Sequence, residues 1–194
     1  MQSVKTLPTP EHYDELPYSS YSFAYSHPAR LSAVARLFGL TPPVNKQFRV
    51  LELGSASGGN IIPLAMHYPN VEVIGIDYSS VQVEQGQQLI KSLKLEDRVQ
   101  LICQSITDID KDIGLFDYII CHGVYSWVPT EVQDAIITTI QNHLTPNGVA
   151  YVSYNVYPGW KRLEIIRDMM LYHTRDMQQS KPQDRMAQGR AIVE

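Results

Sequence analysis

The sequence predicts an α/β fold, a Rossmann-like doubly wound parallel sheet of five strands in the order 3-2-1-4-5. Three observations predict it. Short apolar runs alternate with longer segments whose apolar residues recur at helical spacing, in the order β-α-β-α-β-β-α-β-α. The first run, 49–53, ends in a glycine-rich turn (Gly54-Ser55-Ala56-Ser57-Gly58-Gly59-Asn60) and leads into an apolar stretch with Ile61, Ile62, Leu64 and Ala65. The second run is followed at once by an acid, Asp77. Right-handed crossovers then place helices on both faces of the sheet.

The elements follow in order. Residues 1–27 form an N-terminal arm rich in proline (Pro8, Pro10, Pro17) and tyrosine (Tyr13, Tyr18, Tyr21, Tyr25). The arm has no helical or strand period, so it is expected to pack on the remainder. The cofactor-binding core is 28–160. Pro28 suits a first helical position, and Leu31, Val34, Ala35 and Phe38 share one helix face. Gly39 stops that helix and Pro42-Pro43 prevents its resumption. After strand one, a helix is expected to start within the glycine turn and run to about residue 67, with Pro63 in its first turn. Strand two is 71–76. Ser79, with Gln82 at capping-box distance, opens a helix to about 93, with Val83, Leu89, Ile90 and Leu93 inward. Gly86 within it costs about 1 kcal/mol relative to alanine, for which close packing is the only visible reason. Strand three is 98–103, an acidic loop spans 107–114, and strand four is 116–121. Thr130 is expected to cap the next helix, with Gln133 three residues on and Val132, Ile136, Ile137 and Ile140 toward the sheet. Pro146-Asn147-Gly148 signals a turn before strand five, 149–155. Two C-terminal helices, 161–177 and a shorter one to about 193, complete a single domain, 1–194.

Composition bounds the function. A chain of 194 residues can bury a real core, and 44% hydrophobic with 19% charged residues is ordinary for a globular protein. A net charge of −4 lacks the basic footprint of a nucleic-acid binder, so no nucleic acid is expected as a partner. The charge is uneven. Residues 1–160 hold 9 Lys+Arg against 15 Asp+Glu, and 161–194 hold 7 against 5, which reads as a solvated basic helix rather than an anionic docking surface. Cys103 and Cys121 have no metal spacing, and no metal is expected. Three strand intervals, about 14 Å, separate them in the expected order, too far for a disulfide. There is no signal-peptide core, and no apolar run approaches about 18 residues. A reduced, cytoplasmic chain without a membrane span is expected.

Ligands in such sheets bind beyond the carboxyl ends of the strands, beside strand one. Gly54, Gly58 and Gly59 allow close backbone approach there, and the following helix N-terminus suits an anion. Asp77 can accept ribose hydroxyls. A dinucleotide fingerprint needs a second glycine where this chain has Ala56. Glu52 is an acid within an otherwise apolar strand. A buried carboxylate needs donors, either loop amides or an ammonium group. S-adenosylmethionine supplies an ammonium, a carboxylate and a sulfonium, whereas NAD has no ammonium for Glu52 to meet.

The stretch Leu51-Glu52-Leu53-Gly54-Ser55-Ala56-Ser57-Gly58-Gly59-Asn60, followed by Gly75-Ile76-Asp77-Tyr78-Ser79, resembles class I S-adenosylmethionine-dependent methyltransferases. A narrower resemblance rests on four segments. They are Tyr13-Asp14-Glu15-Leu16-Pro17-Tyr18, Ser26-His27-Pro28, 116–129 (FDYIICHGVYSWVP) and 149–160 (VAYVSYNVYPGW). These are similar to bacterial methyltransferases with a methyltransferase regulatory domain, some of which are protein lysine methyltransferases. The resemblance implies that Gly54, Ala56 and Asn60 hold the methionine part of the cofactor, and Glu52, Ser55 and Gly58 are further candidate cofactor-binding residues. It also implies that Asp77 holds the ribose and that Tyr78 packs on the adenine. Where the class pattern has Gly-Asp after strand three, this chain has Gln104-Ser105-Ile106, so the Ser105 hydroxyl or the Ile106 N–H must serve the adenine edge. His122 and Gly123 complete the cofactor side, and Tyr13 and Tyr18 of the arm are expected to close over it, with surface packing of the arm as the alternative.

On the acceptor side, His122 and Tyr125 are the candidates for guiding a proton from an amine, with structural and packing roles as the alternative. Trp127, Tyr154, Asn155 and Tyr157 are candidate substrate-pocket residues. The class I sheet ends in an antiparallel hairpin that this chain lacks. Strand five would then be an edge, expected to be shielded by helix 161–177 or by a second copy in a homodimer. The function expected is methyl transfer to an unknown acceptor, protein or small molecule, with an amine such as a protein lysine as one candidate. A non-catalytic cofactor-binding module and an NAD-dependent oxidoreductase are the alternatives.

Overall fold

The computed structural model describes residues 14, 18–43, 47–177 and 180–192. Tyr13, the three arm prolines and the predicted helix end at Val193 lie outside the described residues. The chain forms two compact units, one through Tyr154 and one from Asn155.

The first unit begins with helix α1 (Pro28–Leu37), where Pro28 takes the first turn as expected and the His27 ring accepts from the Ala29 N–H (3.2 Å). The sheet is built from β1 (Phe48–Leu53), β2 (Val71–Asp77), β3 (Val99–Cys103), β4 (Phe116–Cys121) and β5 (Leu144–Val152). The strand order is β3-β2-β1-β4-β5, all pairs parallel, as the alternation predicts. Helices α2 (Ile62–His67), α3 (Ser80–Leu93) and α4 (Thr130–His143) connect the strands.

Strand alternation splits the core into two layers. Phe48, Val50, Val73, Leu101 and Ile120 pack with α1, α2 and α3 on one face. Leu51, Leu53, Ile76, Ile119 and Phe116 pack with Val132 and Ile136 of α4 on the other. The helix stripes are narrower than their spacing predicts. Leu31 and Ala35 are buried, but Val34 and Phe38 line an open groove of about 480 Å³ beside Leu40, Val149, Ala150 and Tyr151. Leu89, Leu93 and Ile137 are likewise exposed, each at the margin of its helix's contact face. Cys103 and Cys121 are both free.

Three local expectations are corrected. Pro146-Asn147-Gly148 does not precede β5 but lies inside it. Leu144 pairs with Phe116 and Val149 with Tyr118, so the turn signal becomes a bulge in the strand. Thr130 caps nothing: Pro129 is the cap residue, and the Gln133 amide turns away to the carbonyls of Tyr125 (2.8 Å) and Val128 (3.3 Å). The helix after β1 starts only at Ile62, because the glycine turn uses its own amides; Gly58 donates to Ser55, and Ile61 and Ile62 donate to the Gly58 carbonyl.

Gly86 gains a reason. A Cβ there would stand 2.7 Å from the Ser57 carbonyl oxygen and would overlap Leu101, so α3 packs directly against turn backbone. The second unit holds α5 (Lys161–His173) and α6 (Pro182–Ala191), with Gly189 of α6 against Met170 of α5 and Thr174 at its C-cap. No helix among the described residues is long and apolar enough to cross a membrane.

Candidate functional site

The carboxyl ends of β1, β2 and β4 converge, and the site is built from those strand ends and the loops that leave them. Glu52 is 3% exposed on the face of β1 that carries Val50, opposite Gly75 of β2. Its Oε1 accepts from Asn60 Nδ2 at 2.7 Å, while its Oε2 has no partner among the described residues. Burial pushes its carboxyl up to about 8; the Asn60 hydrogen bond opposes this, and the nearby Asp77 charge adds to it. Gly75 makes room for the turn, since a Cβ there would stand 2.6 Å from Ser55 Oγ. Ser55 Oγ is the second buried polar atom of this turn without a partner among the described residues.

The turn itself is shaped by backbone that favours glycine. Gly54 and Gly58 have φ of +77° and +80°, and Ala56, at +49°, adopts the same left-handed region at a cost of about 1–2 kcal/mol. Asp77 offsets that cost. Its Oδ2 accepts from Ala56 N–H at 2.7 Å and its Oδ1 from Ser79 N–H at 2.9 Å. Burial raises the Asp77 carboxyl, and these amides pull it back. The Tyr78 amide is a third donor, which leaves about one of the four acceptor sites of the carboxylate open, so Asp77 ties down the turn and can still receive a hydroxyl. Gly54 also lies against the loop after β4: a Cβ on it would overlap Val124.

Tyr78 follows, partly exposed, its carbonyl near Cys103 Sγ. Ser105 caps a short 3₁₀ turn (Ile106–Asp108), its hydroxyl engaged with the Thr107 N–H and hydroxyl. Ile106 packs beside the second core layer.

After β4, His122 Nδ1 stands 3.2 Å from the Tyr151 hydroxyl, and burial holds the imidazole below its usual range, so it is neutral at pH 7. Gly123 (φ +71°) donates to Ser153 Oγ at 2.7 Å. Tyr125 meets Tyr154 edge to face, ring centroids 6.3 Å apart, and Trp127 and Tyr154 are exposed. Gln133 grips this loop at both ends, the physical result of the failed cap. Asn155 and Tyr157 belong to the second unit.

The arm is the part that sequence reasoning left vague. Asp14 accepts from the hydroxyls of Ser79 (2.5 Å) and Ser80 (3.1 Å) at the start of α3, and the Ser79 bond holds its carboxyl low. The buried Gln82 amide, oriented to satisfy both its atoms, brackets the Tyr18 backbone at 3.0 and 3.2 Å. The Tyr18 ring is exposed. Ser20 and Ser22 bind Gly59, and Phe23 and Ser26 bind the Asn60 amide. The Phe23 ring lies 3.9 Å from that of His122. Phe23, Ser20, Ser26, Tyr151 and Gln133 are therefore site residues without a sequence signal, apart from Gln133, whose spacing suggested a different role.

Comparison with known proteins places this architecture. Residues 50–148 match the family model described as "Methyltransferase domain". PKMT2 from Rickettsia typhi, in complex with AdoHcy, superposes with a TM-score of 0.77 at 42% identity over 88% of this chain. Two Rickettsia prowazekii proteins are similar in sequence: RP789, 47% identical over 94% of this chain, and RP028, 40% identical over 93% of this chain and 71% of its own length. The chain spans about a third of RP789 (32%) and of PKMT2 (33%). A Geobacter sulfurreducens S-adenosylmethionine-dependent methyltransferase shares the fold at a TM-score of 0.54 and 19% identity, covering 85% of this chain and 62% of that chain. A doubly wound sheet in the order 3-2-1-4-5, an acidic β1 end beside a glycine turn, and these matches agree: the chain belongs to the methyltransferase domain family and has the S-adenosylmethionine-dependent methyltransferase fold.

Proposed function

We propose that this chain binds S-adenosylmethionine at the carboxyl ends of β1 and β2 and directs its methyl group to an amine, a protein lysine side chain. The observation that carries the reading is Glu52 Oε2, a buried carboxyl oxygen without a partner among the described residues, at the mouth of the glycine turn. Such an atom is costly unless a cation or donor meets it, and the ammonium of a bound methionine group is the fitting partner. Ser55 Oγ, also without a partner, is a second donor or acceptor for the same group. On this reading Asp77 receives a ribose hydroxyl and Tyr78 packs on the adenine, with Ser105 and Ile106 serving the adenine edge.

The cofactor supplies an electrophilic methyl group on a sulfonium. The protein adds position, which is most of the catalysis that an in-line displacement needs. His122, neutral and fixed by Tyr151, is the group that can receive a proton from an ammonium acceptor. Tyr125, Tyr154 and Trp127 offer aromatic faces that favour a cationic amine. The likeness to PKMT2, together with the resemblance to bacterial methyltransferases of which some are protein lysine methyltransferases, supports lysine as the acceptor.

The test is transfer of labelled methyl from S-adenosylmethionine into a bacterial lysate, with Asp77→Ala as control and mass spectrometry to locate the methylated residue. Label on lysine, lost in the control, is expected. Tight S-adenosylhomocysteine binding without transfer would make the chain a cofactor-binding module, and label confined to small molecules would refute the lysine reading.

A further inference from the structure

Segment 18–26 is tied to the turn after β1 through two residues, Gly59 and Asn60. Gly59 N–H donates to Ser20 Oγ at 2.7 Å, and Ser22 Oγ donates to the Gly59 carbonyl at 3.0 Å. Phe23 N–H donates to Asn60 Oδ1 at 2.9 Å. Asn60 Nδ2 then donates both its protons, one to Ser26 Oγ at 3.2 Å and one to Glu52 Oε1 at 2.7 Å. A Cβ on Gly59 would stand 2.5 Å from the Ser20 carbonyl oxygen, so the segment lies directly on turn backbone.

These bonds leave the Asn60 amide one orientation. Its oxygen must face the Phe23 N–H, and its nitrogen must face Glu52 and Ser26. Asn60 is 8% exposed and has no N–H left to give a ligand. It therefore acts through Glu52: by holding Oε1 it decides where Oε2 points. At its middle, the same segment lays the Phe23 ring against His122, centroids 3.9 Å apart. One stretch of chain thus reaches the methyl-donor side through Asn60 and the acceptor side through Phe23.

We infer that Asn60 is a positioning residue that couples docking of segment 18–26 to capture of the cofactor's ammonium group by Glu52. The inference rests on the proposed binding of S-adenosylmethionine. The coupling is reciprocal: a docked segment orients Glu52 and tightens binding, and a bound cofactor tightens the segment. Occupancy of the donor site then tightens the hold of Phe23 on His122, so binding of the methyl donor stabilises the acceptor side.

S-adenosylhomocysteine, which carries the same ammonium, is the probe. Its affinity is measured by calorimetry for the wild type, Ser20→Ala, Ser26→Ala, Asn60→Ala and the Ser26→Ala/Asn60→Ala double variant. Amide exchange of Gly59 and Phe23 is followed with and without it. Asn60→Ala is expected to weaken binding by about tenfold, as for loss of a hydrogen bond to a charged group. Ser20→Ala and Ser26→Ala are expected to weaken it less, although neither side chain is assigned to the cofactor. The double variant should bind no worse than Asn60→Ala alone, because both changes break one path. In the wild type, saturating S-adenosylhomocysteine should slow exchange at Phe23 and Gly59 by at least about tenfold. Unchanged exchange at Phe23 on binding, wild-type affinity in Asn60→Ala, or additive losses in the double variant would overturn the inference. If Asn60→Ala does not fold, the wild-type exchange experiment decides alone. Absence of S-adenosylhomocysteine binding to the wild type would instead overturn the cofactor reading, which needs no variant to detect.

Discussion

Replacing Glu52 with glutamine removes a buried ionisable group but keeps the shape and the acceptor that Asn60 uses. In the folded protein the carboxyl is raised from its ordinary 4.5 to about 8, mainly by burial. At about 1.4 kcal/mol per pH unit, ionising Glu52 in the empty site costs on the order of 5 kcal/mol more than in the unfolded chain, a ceiling that relaxation of the site lowers. The sign follows from the folded state binding the proton more tightly. The Glu52 contribution to stability is fully present below about pH 4.5 and is lost as pH rises toward 8. Glu52→Gln has no such loss, so it should be the more stable protein at pH 8 by several kcal/mol and close to wild type near pH 5. Ligand binding shows the opposite face of the same linkage. An ammonium beside Oε2 favours the ionised form, so at pH 7 S-adenosylhomocysteine binding should release a proton from Glu52. Affinity should then rise by up to about tenfold per pH unit between pH 6 and 8. Glu52→Gln should bind about 10- to 100-fold more weakly at pH 8, with a shallower pH dependence. Urea titrations at pH 5, 6, 7 and 8, and calorimetry in buffers of different ionisation enthalpy, measure both effects. Wild type and Glu52→Gln losing stability in parallel from pH 5 to 8 would refute the reasoning, as would binding at pH 7 without proton release.

Three further outcomes are expected. Gly86→Ala should destabilise by about 1–3 kcal/mol in urea despite the better helix former, because the new methyl meets the Ser57 carbonyl; a stabilised variant would show that α3 can move off the turn. Gln133→Ala should leave S-adenosylhomocysteine affinity within about twofold but cut methyl transfer by about tenfold. Its amide holds the carbonyls of Tyr125 and Val128, and equal losses in both measurements would contradict that role. His122→Asn should lower the transfer rate more than cofactor affinity. In the wild type the rate should fall only below the depressed imidazole range, since neutral His122 is the competent form; an unchanged rate in His122→Asn would remove it from the proton's path.

The features legible in the sequence are those that periodicity and composition encode locally. Strand and helix order, the sheet topology and the position of the cofactor turn follow from apolar spacing. Glu52 stands out because an acid in a buried strand contradicts its surroundings, and Gly86 because a glycine in a helix does. Both anomalies have physical causes in the fold, one an unpartnered acceptor and the other a backbone contact. The arm shows why the rest was not legible. Its contacts join residues 34 to 39 positions apart, through serine hydroxyls, main-chain amides and one asparagine, groups that occur in any loop and leave no period. Gln133 shows a related limit. Its spacing after Thr130 fits a cap, but carbonyls at Tyr125 and Val128 compete for the same amide, and only the folded loop reveals that they are near enough to win. The turn at Pro146 failed for the same reason in backbone form, because pairing on either side of it with β4 absorbed the break as a bulge. The glycine-turn side of the site is therefore written in residues adjacent in sequence, whereas the His122 side depends on contacts that exist only once the arm and the β4 loop have folded onto it.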